Sequence, residues 1–276
     1  MDVSVLILTL NEEANLANCL KSLAWCDDVV VLDSYSNDQT ESIAKEYGAR
    51  FIQRKFDDYA RQRNYGLNEI DYRHSWLLII DADEICPPEL IKEIETAIHN
   101  CDKDTSLFRV RRKDHFMGRW IRHSSGYPTW AGRLARIGKV QVTRAINEEY
   151  HTDGRIGILR EHLLHYSFNK GFHAWFEKHN RYSTMEAEKI VENTSRKIRI
   201  RELFHSDPLI RRKTTKKLFY LLPGRPILMF TALYFVRLGF LDGAPGLTFC
   251  LLRSFYEFMI NCKVKELKRR QQGLAL

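Results

Sequence analysis

The stretch Trp76-Leu-Leu-Ile-Ile-Asp-Ala-Asp-Glu84 decides the fold. Five apolar residues in a row predict a β-strand that is buried on both faces of a parallel sheet. Asp81 and Asp83 follow where this strand leaves the sheet, which is where open α/β sheets bind their ligands. With one residue between them, the two carboxylates point to the same side of an extended chain. They predict a site for Mg²⁺ or Mn²⁺, although acidic residues also end strands simply because strand ends are exposed.

Strands and helices alternate on both sides of this stretch. Asn11 fits the N-cap of a first helix, and Ser36-Asn-Asp-Gln39 has the pattern of a capping box for a second helix that Gly48 closes. Such alternation is typical of an α/β fold with a right-handed, mostly parallel, Rossmann-like sheet covered on both faces. The predicted strands of this half are 3–9, 28–33, 50–53 and 76–83, and its later helices are 57–70 and 89–99.

The pattern changes after residue 105. Shorter strands separated by polar loops predict a small, partly antiparallel extension, followed by a helix over 171–191. The predicted strands are 106–112, 133–137, 140–142 and 157–165.

The C-terminal third carries the positive charge of the chain. Residues 196–276 hold 17 Lys and Arg against 5 Asp and Glu, whereas residues 1–195 hold 26 against 30. Two apolar, aromatic-rich helices at 227–236 and 247–260 are each too short to cross a bilayer, which takes about 20 residues. Basic residues around them favour a helical extension that lies on an anionic membrane surface, with a cap on the protein itself as the alternative. The six cysteines have no metal-site spacing and are expected to be buried thiols of the cytoplasm.

Two other classes of protein fit less well. The first turn, Thr9-Leu-Asn-Glu-Glu13, has no glycine and two carboxylates, which would repel a dinucleotide phosphate. No P-loop pattern is present either. A nucleic-acid-binding protein is disfavoured because the basic segment is not interleaved with aromatic residues that could stack on bases.

Four motifs, in order, resemble the family 2 glycosyltransferases of the GT-A nucleotide-diphospho-sugar transferase fold. They are Ser-Val-Leu-Ile-Leu-Thr-Leu-Asn-Glu-Glu, Val-Val-Val-Leu-Asp-Ser-Tyr-Ser-Asn-Asp-Gln-Thr, Arg-Gln-Arg-Asn and Asp-Ala-Asp-Glu. Later segments resemble the sequences of one branch of this family, which contains the β-1,4-glucosyltransferases of the lipopolysaccharide inner core. They include Phe116-Met-Gly-Arg-Trp-Ile-Arg-His123 and Gly239-Phe-Leu-Asp-Gly243. The resemblance covers residues 3 to about 171 well.

The resemblance implies a donor site in residues 1–105. Asp33 would accept the uracil N–H, and Asp81 and Asp83 would hold Mg²⁺ or Mn²⁺ on the diphosphate, with His165 as a further metal ligand. A histidine at the end of an apolar strand is more often an ordinary core histidine than a ligand, and this alternative stays open for His165. The chain has Ser34 and Tyr35 where many members carry a second acid, which leaves the nucleotide open, with UDP expected. The implied donor-binding residues are Thr9, Asn11, Glu12, Asp33, Arg61, Arg63, Asp81 and Arg133.

The resemblance places the acceptor in residues 106–195. An inverting transfer needs a base for the acceptor hydroxyl, and Glu148 is the candidate, with Glu149 as the fallback. Trp120, Tyr127 and Trp130 suit sugar stacking, although core aromatics look the same in sequence.

The expected protein is a metal-dependent inverting hexosyltransferase. Residues 1–195 would form the GT-A catalytic domain and residues 196–276 the basic helical extension. It would move a hexose, expected to be glucose, from a UDP-sugar to a lipid-linked saccharide, on the cytoplasmic face of the inner membrane. The alternatives are a transferase acting on polyprenyl phosphate, a nucleic-acid-binding protein and a non-catalytic scaffold.

Overall fold

A computed structural model describes residues 1–143, 149–192 and 224–276, with the short segment 200–204 and the single residues 211, 214, 218 and 222 between them. Its strands are β1 Val3–Thr9, β2 Val29–Asp33, β3 Arg50–Gln53, β4 Trp76–Asp81, β5 Glu84–Ile85, β6 Thr105–Phe116, β7 Arg119–Trp120, β8 Thr129–Arg136, β9 Gln141–Thr143, β10 Glu149–His151 and β11 Arg155–His165. Its α-helices are α1 Leu16–Ser22, α2 Thr40–Glu46, α3 Tyr59–Asn68, α4 Pro88–Asn100, α5 Gly171–Glu192, α6 Arg225–Thr231 and α7 Gly243–Gln271.

The main sheet has the strand order β3-β2-β1-β4-β8-β6-β11-β5 within the described residues. Strands β3, β2, β1 and β4 are parallel, and β8 then runs antiparallel to both β4 and β6. Strand β6 pairs with β11 in parallel, and β9 pairs with β10 in a separate antiparallel ribbon. The mostly parallel first half and the partly antiparallel extension are therefore both confirmed.

The central strands are buried on both faces, as their uninterrupted apolar sequences predict. Val5, Ile7 and Ile80 contribute to the core on one face, and Leu6 and Ile79 contribute to the core on the other. A side chain at Gly66 of α3 would collide with Leu6, so glycine lets this helix lie directly on β1.

Both predicted helix N-caps are wrong. Asn11 lies in the left-handed region with φ of 54°, and α1 begins only at Leu16. Ser36 is not a cap either, because α2 begins at Thr40 and its N-cap residue makes no side-chain cap bond. Local side-chain bonds compete with helix capping, and here they connect two neighbouring loops instead. By contrast, Pro88 begins α4 and Gly48, with φ of 71°, follows the end of α2 as predicted.

The chain divides into two compact units. One comprises residues 1–115 and 127–169, and the other comprises residues 116–126 together with the described part of 170–276. The predicted domain limits at residues 105 and 195 stay predictions. All six cysteines are free thiols, but Cys262 is exposed, contrary to the expectation that all are buried.

The second unit is held together by buried polar contacts. Arg225, at the start of α6, forms a 2.7 Å ion pair with Glu257 of α7, and both side chains are buried. Asp242 is also buried and accepts hydrogen bonds from the backbone N–H groups of His123 and Ser124 and from the Ser124 hydroxyl, at 2.7–2.9 Å. The segment 116–126 is thereby fixed to the start of α7.

No single helix in the described part of the chain has the length and hydropathy of a membrane span. The helical segments Arg225–Val236 and Gly239–Gln271 meet those criteria only as a pair, and they are bent by 72° at the short break between them.

Candidate active site

The loops that follow β1 and β2 are joined side by side at the carboxyl end of the sheet. The Asn11 N–H donates to the Ser36 hydroxyl at 2.7 Å, and the Asn37 N–H donates to the Asn11 side-chain oxygen at 2.9 Å. The Glu12 N–H donates to the Thr40 hydroxyl at 2.8 Å. The left-handed conformation of Asn11 aims both its N–H and its amide oxygen at the second loop. We call these two hydrogen-bonded loops, beside the ends of the two strands, the rim.

Asp33 ends β2 beneath this rim and is fully buried. Its carboxylate accepts hydrogen bonds from the Thr9 hydroxyl at 2.8 Å, from the Ser36 N–H at 2.7 Å and from the Ser36 hydroxyl. The structure therefore gives Asp33 a role in holding the β2–α2 loop. Its direct contact with the nucleoside stays a prediction.

Asp81 ends β4 between two arginines. Arg63 of α3 contacts one carboxylate oxygen at 2.9 Å, and Arg133 of β8 contacts the other at 2.7 Å. Burial alone would raise the pKa of Asp81, but the charges of Arg133 and Arg63 outweigh burial and hold it well below its usual range. Asp81 is therefore an anion whose two oxygens already have cationic partners. Its role as a metal ligand stays a prediction.

Glu84 is a site residue that sequence reasoning missed. It is fully buried, accepts a 2.6 Å hydrogen bond from Arg133, and accepts a second bond from the backbone N–H of Asp81 at 3.0 Å. Burial raises the pKa of Glu84 despite the charge of Arg133. Arg133 thus bridges two acids, and its predicted contact with a phosphate stays a prediction. The motif Asp-Ala-Asp-Glu contained the signal, since Glu84 directly follows the two aspartates.

Asp83, in the turn between β4 and β5, faces His165 at the end of β11. The His165 Nε2 atom lies 3.4 Å from a carboxylate oxygen of Asp83, and its Nδ1 atom lies 2.6 Å from a carboxylate oxygen of Asp114 on β6. Burial would lower the pKa of His165, but the charge of Asp83 and the hydrogen bonds to both acids raise it to about 9. In the metal-free protein, His165 is therefore favoured in its protonated form, with one acid at each ring nitrogen. No sequence signal identified Asp114, because its partner is 51 residues away.

This arrangement fits a divalent cation. Among the described residues, no three His, Cys, Asp or Glu side chains form a ready-made metal site. Mg²⁺ and Mn²⁺, however, take several ligands from water and substrate phosphates, so one or two protein ligands suffice. Asp83 and the Nε2 atom of His165 are close enough to share one ion, while Asp114 holds the Nδ1–H. A carboxylate on the second nitrogen of a metal-binding histidine is the usual way in which the ring is oriented.

The structure separates the two candidate arginines of α3. Arg63 is buried against Asp81, whereas Arg61 is exposed and lies 3.4 Å from Asp58 at the start of the helix. Two residues apart on a helix, the two side chains point in nearly opposite directions. A contact between Arg61 and the donor stays a prediction.

The candidate base, Glu148, and its neighbour Asn147 lie outside the described residues. The fallback Glu149 is half-buried on β10, where its backbone pairs with Thr143. Which of the two glutamates acts as the base stays a prediction.

Aromatic rings of the segment 127–130 lie close to side chains of β6 and β11. Arg111 lies 5.1 Å from the ring centroid of Trp130 and 5.9 Å from that of Tyr127. The Tyr127 hydroxyl lies 2.8 Å from the Nε2 atom of His162. Trp130 is 39% exposed and so presents part of its ring to solvent, while its stacking on a sugar stays a prediction.

Known proteins match both the sequence and the fold. The chain is 26% identical over 271 residues to the lipopolysaccharide core biosynthesis glycosyltransferase LpsC of Rhizobium meliloti, covering 96% of this chain and 92% of LpsC. It is equally similar, at 26% over 286 residues, to an uncharacterized glycosyltransferase of Rickettsia typhi, covering 99% of this chain and 89% of that one.

Among solved structures, a mannosyltransferase of Pyrobaculum calidifontis superposes with a TM-score of 0.55 at 16% identity, covering 95% of this chain and 86% of that one. This likeness confirms the predicted GT-A fold. The sequence model of glycosyl transferase family 2 matches residues 4–167, from the first strand through the end of β11. Because the match spans more than half of the chain and contains all four motifs and the acids around Asp81, this protein belongs to glycosyl transferase family 2.

Proposed function

We propose that this glycosyltransferase moves a hexose, glucose in the first instance, from a UDP-sugar to a lipid-linked saccharide such as a lipopolysaccharide core, with inversion. The observation that carries the proposal is the array of Asp83, His165 and Asp114, which offers two ligands to a divalent cation at the carboxyl end of the sheet. A nucleoside diphosphate is the leaving group that such a cation serves.

The donor nucleotide would lie along the rim formed by the β1–α1 and β2–α2 loops. Asp33 and Thr9 support this rim from below, and Asn11 and Glu12 form part of it. Ser34, next to Asp33, takes the place of the acid that many members carry. Its hydroxyl lies 3.3 Å from the amide nitrogen of Gln62. This position would therefore offer the nucleobase of the donor a hydroxyl and an amide, where other members offer a carboxylate.

Asp83 and His165 would hold Mg²⁺ or Mn²⁺ against the diphosphate, with Asp81 as a further ligand. The bound ion would neutralise the negative charge that develops on the departing UDP. Asp114 would keep the proton on Nδ1 of His165, so that Nε2 presents its lone pair. Arg63 and Arg133 would hold the Asp81 carboxylate in one position and contribute positive charge near the phosphates.

The acceptor hydroxyl needs a base on the face of the sugar opposite the leaving group. Glu148 would take this proton, because a direct in-line displacement needs a general base on the acceptor side and a carboxylate can serve as one. Trp130 and Tyr127 would offer stacking surfaces to acceptor sugars. The name of the relative LpsC supports a lipopolysaccharide core as the acceptor. The enzyme would then work peripherally on the cytoplasmic face of the inner membrane.

A thermal-shift titration tests the donor site. The melting temperature of the full-length protein is measured with UDP or GDP, each with and without Mn²⁺. A ligand that binds only the folded protein raises the melting temperature. We expect a rise with UDP that requires Mn²⁺, and its loss in Asp83→Asn. The matched control is Asp153→Asn, an exposed acid of the same type.

Two results would contradict the proposal. A UDP shift that does not depend on Mn²⁺, or that survives in Asp83→Asn, would remove the metal assignment. A shift with GDP and none with UDP would mean that the donor is a GDP-sugar in place of a UDP-sugar. Transfer is then measured from UDP-glucose to lipopolysaccharide that lacks the outer part of its core, with polyprenyl phosphate as the competing acceptor.

A further inference from the structure

The turn that links α6 and α7 is apolar and exposed. We call residues 235–241 the apolar turn. Its five large apolar side chains are each 44–76% exposed to solvent. Contiguous exposed apolar side chains of this size mark a surface that meets another apolar phase. They are Phe235, Val236, Leu238, Phe240 and Leu241.

Packing within the second unit fixes this exposure. Leu238 has φ of 60° and lies at the break where the chain bends by 72° after α6. The backbone then packs so closely that a side chain at Gly239 would lie 2.6 Å from the carbonyl oxygen of Leu233, and one at Gly246 would meet the carbonyl oxygen of Gly239. Asp242 closes the turn through its three hydrogen bonds with His123 and Ser124. The apolar side chains therefore point outward from a well-packed backbone.

The segment that contains the apolar turn carries no exposed negative charge. Residues 224–262, which the structure describes in full, contain two acids, Asp242 and Glu257, and both are buried against partners. An approaching anionic surface would therefore meet no repelling carboxylate from this segment.

Three exposed arginines of the second unit belong to the turn or to the loop fixed to it. Arg119 donates to the carbonyl oxygen of Leu241 at 3.4 Å, and Arg237 is part of the turn itself and packs against Gly126. Arg122 lies 5.6 Å from the ring centroid of Trp120. A cluster of apolar side chains accompanied by arginines is the composition that interfacial membrane binding requires.

We propose that the apolar turn inserts into the boundary between headgroups and acyl chains of an anionic bilayer, while Arg119, Arg122 and Arg237 bind lipid phosphates. The proposal rests on the proposed function, because a lipid-linked acceptor brings the enzyme to a bilayer, and it names the surface that docks. A second copy of this chain fits less well. A symmetric contact through this surface would bring the same arginines of two copies together.

Vesicle sedimentation of the full-length protein tests the insertion. The vesicles are made of phosphatidylcholine alone or of phosphatidylcholine with one third phosphatidylglycerol. We expect binding to the anionic vesicles, and a loss of more than about ten-fold in the variant Val236→Ser/Leu241→Ser, since burial of each large apolar side chain is worth at least about ten-fold. The matched control is Ile156→Ser/Ile158→Ser, which removes two exposed apolar residues from β11.

The arginines are tested in the same assay. Arg119→Gln/Arg237→Gln should weaken binding to anionic vesicles by roughly five-fold for each charge, with a much smaller effect on phosphatidylcholine vesicles. The control Arg109→Gln/Lys139→Gln removes two exposed charges from the first unit and should bind as the wild type does. Added salt should remove the difference between the two vesicle types.

Two outcomes would overturn the inference. One is wild-type vesicle binding by Val236→Ser/Leu241→Ser. The other is a wild-type protein that binds neither vesicle type and runs as a dimer, which would make the turn a protein interface. The Mn²⁺-dependent thermal shift with UDP is measured on the same samples. A wild-type protein that gives this shift but does not bind anionic vesicles contradicts the inference alone, whereas a wild-type protein that binds anionic vesicles without the shift contradicts the proposed donor site alone.

Discussion

His165 and Asp114 are joined by a 2.6 Å hydrogen bond between an imidazole nitrogen and a carboxylate. This bond turns the opposite nitrogen of the ring toward Asp83, 3.4 Å away. Asp114 thus orients the ring of His165, and Asp83 lies on the side where a cation would be bound. The pair of strands that makes this possible is β6 and β11, whose parallel register sets His165 beside Asp114.

Replacing Asp114 should weaken metal binding without removing a metal ligand. In Asp114→Asn, Nδ1 of His165 loses its anionic partner, so the ring becomes a poorer and less well oriented ligand. We expect the Mn²⁺ concentration for half-maximal UDP binding to rise by about 10- to 100-fold. The control is Asp104→Asn, an exposed acid paired with Arg155. Equal Mn²⁺ requirements in the two variants would exclude this role for Asp114.

Metal affinity should depend on pH through His165. A proton on Nε2 competes with the metal, and the pKa of His165 in the metal-free protein is about 9. Affinity for Mn²⁺ should therefore rise by about ten-fold per pH unit up to pH 9 and level off above it. His165→Gln should lose this dependence, and a wild-type affinity that is flat between pH 6 and 9 would contradict it.

The same group affects the stability of the metal-free protein. Its pKa is higher in the folded state than its unfolded value of about 6.5, so the folded state holds the proton more tightly. The stabilisation of the folded state by this proton is complete below pH 6.5 and is lost as the pH rises through 9. The chelator-treated wild type should lose more thermal stability than His165→Gln over that range, as measured by differential scanning calorimetry. Equal losses would contradict the assignment.

Removing Arg133 should destabilise the fold strongly. Arg133→Met removes the cation that pairs with both Glu84 and Asp81 in the interior. The two acids must then either remain charged with one cation fewer or take up protons. Breaking a buried ion pair in this way costs about 3–5 kcal/mol. The melting temperature should fall by roughly 10 °C for a chain of this size, whereas Arg109→Met, an exposed change, should have little effect. Adding Glu84→Gln to Arg133→Met should recover part of the loss.

The choice between Glu148 and Glu149 can be made by a pair of matched variants. Glu148→Gln should keep the Mn²⁺-dependent binding of UDP and lose transfer by at least about 100-fold, the usual contribution of a general base. Glu149→Gln, one residue away, should retain most of the activity. The opposite result would move the role to Glu149, and full activity in both variants would exclude this segment as the source of the base.

Strands β1 and β4 could be predicted from sequence because their burial is nearly complete, whereas β3 was also predicted correctly although its residues are exposed or only partly buried. Residues 3–9 and 50–53 were predicted with the limits that β1 and β3 have, and β4 begins at Trp76 as expected. A continuous apolar run ended by Asp or Thr leaves little choice of limits. The helix starts were harder, because the polar groups of Asn11 and Ser36 fit a cap as well as a contact between loops.

The site was predictable only as far as its motifs extend. Asp81 and Asp83 were found because they end a predicted strand, and Asp33 was found through the family resemblance. Glu84 and Asp114 were missed because their charged partners, Arg133 and His165, come from other strands. Asp114 lies near the end of β6, a strand predicted to stop two residues earlier, at 112. The pairing of Arg133 with two acids likewise depends on the antiparallel insertion of β8 beside β4, which periodicity does not reveal.

The bond between Asp242 and Ser124 has a consequence for how the chain is made. The two residues are 118 positions apart, so Ser124 leaves the ribosome long before its partner has been synthesised. At 5–20 residues per second, the delay is on the order of ten seconds. During translation, the segment 116–126 stays without this partner until Asp242 has been made, and water must meanwhile bond to the N–H groups of His123 and Ser124. A stalled or truncated chain that ends before residue 242 would expose this segment to chaperones and proteases.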